Sequence, residues 1–112
     1  MCIKTLAACA LLIFLSSQSY ATANLVNVTI TQLNMRESLG AYLFIRTSTP
    51  PTIVGCQTDP NWNLVMPLNS DLASKIYAGL LAAQTSQATV WLQGTGTCSG
   101  GIEYLDSFTI EH

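Results

Sequence analysis

The sequence predicts a mostly β domain with one helix, closed as a five-stranded Greek-key barrel in the order strand-strand-strand-helix-strand-strand. Three observations lead there. Residues 70–84 carry apolar groups at spacings of three and four, the mark of an amphipathic helix. The runs on either side are short, rich in β-branched and aromatic residues, and alternate in polarity with a period of two. The first of those runs also changes the face it buries part of the way along, which requires an extra residue and a bend.

In that first run, residues 25–35, Val26, Val28 and Ile30 point inward and Asn27, Thr29 and Thr31 outward; the apolar positions then become Leu33 and Met35. A strand exchanges faces only through a bulge, here placed near Thr31-Gln32, and a strand bent this way can serve two sheets. Residues 36–40 form a turn. Residues 41–47 are apolar on both faces and belong at the centre of the sheet. Residues 48–60 are irregular: Pro50-Pro51 stops a helix, residues 53–56 have the composition to begin a third strand, and Asp59-Pro60-Asn61 is turn chemistry. Residues 62–68 alternate Leu64, Met66 and Leu68 against Asn63 and Val65, and Pro67 points to an edge position.

The helix starts cleanly. Ser70 can accept a hydrogen bond from the first turn, and Asp71 sets a negative charge at the positive end of the helix dipole. Leu72, Ile76, Leu80 and Ala83, flanked by Ala73, Tyr77 and Leu81, form the stripe to be buried. Lys75, Ala78, Gly79 and Ala82 fall off it, on a face that usually carries Glu and Lys. Small residues there let a neighbouring helix approach closely, so these four are candidates for an oligomer contact, against the alternative of a plain solvated face. Residues 88–94 form the next strand, in which Trp91 points opposite to Val90 and Leu92, outward onto an interface or ligand platform. A Gly- and Thr-rich loop follows around Cys98 and Gly100-Gly101, and residues 102–110 place Ile102, Tyr104, Phe108 and Ile110 on one face. This order, with a bent first strand and the helix between the third and fourth, is that of an OB-fold, a small barrel with a helix plugging one end. Its rival is an open α+β sheet covered by one helix.

Residues 1–23 read as a secretory signal peptide: Lys4, an apolar run over residues 6–15, a polar stretch, and Ala21-Thr22-Ala23 with cleavage after Ala23. Leu6-Ala7-Ala8-Cys9 also fits a lipoprotein cleavage box, but hardly any apolar segment precedes Cys9. The run is too short to span about 30 Å of hydrocarbon, and no comparable run follows, so no membrane span is expected. Residues 24–112 form a single small domain holding three cations, Arg36, Arg46 and Lys75, against six acids. Three scattered cations do not make a phosphate-binding surface, which excludes nucleic acid as a partner. Only 9% of the chain is charged, against roughly 25% for ordinary soluble domains, so its surface must rely on Thr, Ser, Asn and Gln. In an exported chain the two cysteines left after cleavage, Cys56 and Cys98, pair as a disulfide, worth about 3–4 kcal/mol in the chain-entropy account.

The groups that enzymes use are scarce. His112, the one histidine, is the last residue, and no Ser-His-Asp set exists. Asp59 with Asp106, or Glu103 with Asp106, are the carboxylate pairs that could act as acid and base, but scattered acids on an exported surface are ordinarily just solvated. No residues sit at metal-ligand spacing, and no cofactor is implied. The Gly94-Thr95-Gly96 and Gly100-Gly101 loops lack the following helix a phosphate site needs. Trp62 beside Asp59, Asn61 and Asn63 has the composition of a sugar site, where an aromatic ring packs on the C–H face of a pyranose and amide and carboxylate groups bond its hydroxyls. The structural alternative is that Trp62 covers one end of the barrel. Asn27-Val28-Thr29 is a glycosylation sequon, relevant in a eukaryotic secretory pathway.

The signal peptide, the OB-like order, the cysteine pair and the helix L-L-A-A-Q-T-S-Q-A-T-V-W-L of residues 80–92, running straight into a strand, resemble the binding subunits of pentameric bacterial toxins, especially of the subtilase cytotoxin type. The resemblance implies lectin subunits that assemble as rings around a pore of helices, bind cell-surface glycans and carry an enzymatic A subunit. Cys98 lies after the fourth strand, a departure from that pattern, and no sugar-binding residue is carried over. The expectation is therefore a secreted or periplasmic, non-enzymatic protein that forms a homo-oligomer, with five the number the resemblance implies, and recognises a glycan. The alternative is a monomeric periplasmic or envelope module for protein interaction or inhibition.

Overall fold

A computed structural model describes residues 22–37 and 40–111; the expected leader lies outside these residues except for Thr22 and Ala23. Six strands and, among the described residues, one helix follow the chain: β1 (Asn24–Val28), β2 (Ile30–Arg36), β3 (Tyr42–Thr47), β4 (Leu64–Pro67), α1 (Asp71–Ser86), β5 (Val90–Ser99) and β6 (Ile102–Ile110). They form one mixed sheet in the order β1-β5-β6-β4-β3-β2, antiparallel except where β4 meets β6. The sheet is open as a hydrogen-bonded ladder. Its two outer strands, β1 and β2, are the two halves of the first apolar run, with only Thr29 between them.

Six strands stand where five were expected because that run breaks, and the bulges show how. In the β1–β5 ladder the register slips between Leu25 and Val28, at Asn27, whose φ of 56° is left-handed. Asn tolerates that conformation better than most residues. The slip turns Val26 outward, 42% exposed, while Val28 and Ile30 stay buried, so Val26 is not the inward residue its alternation suggested. A second slip between Ile30 and Gln32 in the β2–β3 ladder lies where the parity change put it.

Other expectations need correction. β4 lies inside the sheet between β3 and β6, not at an edge; Pro67 is tolerated because it is the strand's last residue. Residues 53–56 form no strand, and Ile53 and Val54 are exposed. β6 does not keep one face: the register slips across Asp106, so Ile102 and Tyr104 pack on one side of the sheet, Leu105 and Phe108 on the other, and Ile110 is exposed.

Each strand's alternation distributes its side chains between two cores. Leu43 and Ile45 of β3 and Leu64 and Met66 of β4 face the larger one, with Val28, Ile30, Val90 and Leu92. α1 closes that core with Ala73, Leu80 and Ala83. Ser70 Oγ accepts the Ala73 N–H at 3.1 Å, capping the helix as its sequence suggests. Leu72 and Leu81 do not join the buried stripe; they are 66% and 43% exposed. The opposite residues of the same strands, Phe44 and Val65, make a smaller cluster with Ile102, against which Tyr42, Trp62 and Tyr104 pack. That second face carries the candidate site.

Candidate functional site

The floor of a groove of about 530 Å³ is the second cluster: Tyr42 and Phe44 from β3, Val65 from β4 and Ile102 from β6. These four are brought together because β3 and β4 are in register, Phe44 opposite Val65, and β6 lies beside β4. Its walls are Arg36 at the end of β2, Asp59, Asn61 and Trp62 from the long β3–β4 connection, and Ser99 and Gly100 at the β5–β6 turn.

Trp62 stands against Phe44 with ring centroids 5.8 Å apart and planes tilted by 53°. Both rings carry a guanidinium. The Arg36 Cζ lies 5.0 Å from the Phe44 centroid and the Arg46 Cζ 5.6 Å from that of Trp62. Such cation–aromatic contacts are worth about 0.5–1 kcal/mol when exposed and more when dry. Arg46 also donates from Nε to the Asn61 carbonyl at 2.8 Å, and from its two Nη groups to Asn61 Oδ1 and Gln32 Oε1, each at 3.3 Å. Two of the three cations of the described chain therefore stand at one aromatic patch.

The four residues singled out from the sequence divide by role. Trp62 and Asn61 line the groove. Asp59 lines it too, but its Oδ1 accepts the N–H groups of Asn61 at 2.7 Å and Trp62 at 3.0 Å, which sets the turn that presents the ring. Asn63 is buried and turned away: its Oδ1 accepts the Thr47 N–H and its Nδ2 donates to the Thr49 carbonyl, both at 2.8 Å.

Sequence reasoning missed the residue that fastens this loop. Gln57 is buried; its Nε2 donates to the carbonyls of Asp59 at 2.9 Å and Trp62 at 3.0 Å, and its Oε1 accepts the Glu103 N–H at 2.9 Å. The N–H groups of Thr58 and Asp59 reach the Gly101 carbonyl at 2.9 and 3.2 Å. Cys56 and Cys98 are joined, as expected, with Cα atoms 5.9 Å apart. The Trp62 loop is thus stapled covalently and by hydrogen bonds to β5 and β6. Nothing in the sequence marks Gln57, because its partners are backbone groups, two in its own loop and one 46 positions away on β6.

Of the candidate oligomer residues, Lys75, Ala78 and Ala82 are exposed on α1, and Trp91 is 45% exposed on β5. Gly79 does not share their face: a Cβ there would come within 2.7 Å of the Phe108 ring, so it points toward β6. Among the described residues no group of three or more His, Cys, Asp or Glu is placed to hold a metal ion, and no helix is long and apolar enough to cross a membrane. The groove can offer aromatic faces to C–H groups and guanidinium, amide and carboxylate groups to hydroxyls. No protein-family model matches the chain, and no curated protein matches it either.

Proposed function

We propose that this chain is an exported, non-enzymatic OB-type lectin subunit that binds a glycan in the Trp62 groove and works as an oligomer. The observation that carries the reading is the aromatic pair in which partly exposed Trp62 stands on buried Phe44, flanked by Arg36, Arg46, Asp59 and Asn61. Rigid aromatic faces bordered by planar hydrogen-bonding groups suit a pyranose, whose two sides are apolar C–H and polar hydroxyl.

The barrel belongs to the same proposal. The strand order ends on β1 and β2, which adjoin across Thr29, so that chain continuity supplies the closure the ladder lacks. In OB barrels, the face of the second and third strands with the adjoining loops takes oligosaccharides or oligonucleotides. β3, β4, the β2–β3 end at Arg36 and the β5–β6 turn correspond to that region. Two guanidinium groups are too few to replace the counterions of a nucleic-acid backbone, which favours the sugar. Oligomerisation draws support from the exposed apolar groups Leu72 and Leu81 on α1, which also carries the small exposed residues Ala78 and Ala82, and from exposed Trp91 on β5. A ring of five carrying an enzymatic A subunit is the form we propose for it.

The test is a glycan array probed with the oxidised, exported protein, alongside light scattering after size exclusion. Retention of a glycan that Trp62→Ala weakens at least about tenfold, without change in the circular dichroism spectrum, is the expected result, with a mass near five protomers. A monomer that retains no glycan would transfer the reading to a periplasmic protein-interaction module.

A further inference from the structure

Glu103 is a carboxylate buried to 4% exposure, and its oxygens accept backbone N–H groups: Ala23 N lies 3.0 Å from both, and Gly96 N lies 2.9 Å from Oε2. The side chain occupies a notch that Gly94 leaves open, since a Cβ at that position would overlap the carboxylate. The side-chain cations of the described residues stand elsewhere: Arg36 lies over Phe44, Arg46 over Trp62, and Lys75 is exposed on α1. A buried carboxylate needs a counter-charge or strong donors to offset its lost hydration. It borders a recess of about 290 Å³ whose lining includes Thr22, Ala23, Asn24, Gln57 and Asn63. Ala23 is itself part of the fold. Its carbonyl accepts the Gly94 N–H at 2.9 Å, and its methyl packs against the larger core.

We propose that the leader is cut after Ala21, so that Thr22 begins the mature chain and its α-ammonium supplies the positive charge for Glu103. The inference rests on the reading of the N-terminus as a cleaved leader. Water adds across the Ala21–Thr22 peptide bond: the Ala21 carbonyl becomes a carboxylate and the Thr22 nitrogen leaves as an amine that is protonated below about pH 8. Ser19 and Ala21 provide small residues at the third and first positions before this bond, as leader cleavage requires. The cut falls two residues before the one expected from the sequence. Cleavage after Ala23 would remove the N–H that both Glu103 oxygens accept and a methyl group from the core.

Intact mass of the oxidised protein, exported with its own leader, tests the cut. A chain beginning at Thr22 is expected. A chain beginning at Asn24 overturns the inference and leaves the leader reading standing, whereas an uncut chain overturns both. The charge pairing has its own test, by comparing chains that begin at Thr22 with a free or an acetylated amine. Acetylation is expected to lower Tm by about 4 °C or more in the native sequence and to leave Tm unchanged in Glu103→Gln; equal shifts in both overturn the pairing. Should Glu103→Gln fail to fold, the native chain suffices. The α-amino group is expected to acylate at least about tenfold more slowly folded than unfolded, and equal rates overturn the pairing.

Discussion

Asn63 is buried and spends both ends of its amide on the backbone, at Thr47 and Thr49. Asn63→Ala should therefore cost about 1–3 kcal/mol in urea unfolding, because it strands the buried Thr47 N–H, and it should leave the proposed glycan affinity nearly intact in molecules that remain folded. Gln57→Leu should behave differently. It keeps most of the volume but frees the carbonyls of Asp59 and Trp62, so amide exchange should quicken over residues 57–62 and ligand affinity fall at least about tenfold. The contrast shows what single residues disclose in a sequence. A tryptophan among Asp and Asn announces a binding chemistry by type alone, so Trp62, Asp59 and Asn61 were legible. Gln57 acts through Glu103, 46 positions away, and the two arginines acquire their rings only through the fold, Arg36 across the β2–β3 ladder and Arg46 against the loop that carries Trp62.

At the scale of elements, Gly79 decides between two pictures of α1. On an outward face, Gly79→Ala would stabilise the helix by about 1 kcal/mol. Here the added methyl would lie 2.7 Å from the Phe108 ring, so the variant should instead lose about 1 kcal/mol by thermal or urea unfolding, through overpacking. In a Phe108→Leu background the same change should become stabilising. The helix and most strands were readable because periods of 3.6 and 2 survive in the sequence, and Ser70 marks the cap. Faces were less readable, since one inserted residue reverses everything beyond it. Asn27 in β1 and Asp106 in β6 each do this, which is why Val26 lies outside and why Phe108 packs on the opposite side of the sheet from Ile102 and Tyr104. The error on Pro67 has a related cause: a proline excludes only the ladder position whose N–H is needed, and the end of a strand has none to lose.

For the whole molecule, the disulfide is the largest single constraint. It closes a loop across 42 positions, and the chain-entropy account assigns it about 4 kcal/mol. Replacing both cysteines by alanine should lower unfolding stability by about that amount and, because Cys56 adjoins Gln57, should weaken the groove as well; denaturation with and without reductant measures the first effect and binding the second. The strand order has a consequence of another kind. β6 is the last of the described elements in chain order, yet it lies in the middle, joining β1 and β5 on one side to β4, β3 and β2 on the other. The ladder cannot join the two halves until β6 exists, and β1 must wait for β5, more than sixty residues later. Native contacts this distant in sequence form slowly. The emerging chain thus remains without its finished sheet until β6 has been made; under the export proposed above, that is the condition in which a polypeptide can be threaded through a narrow translocation pore.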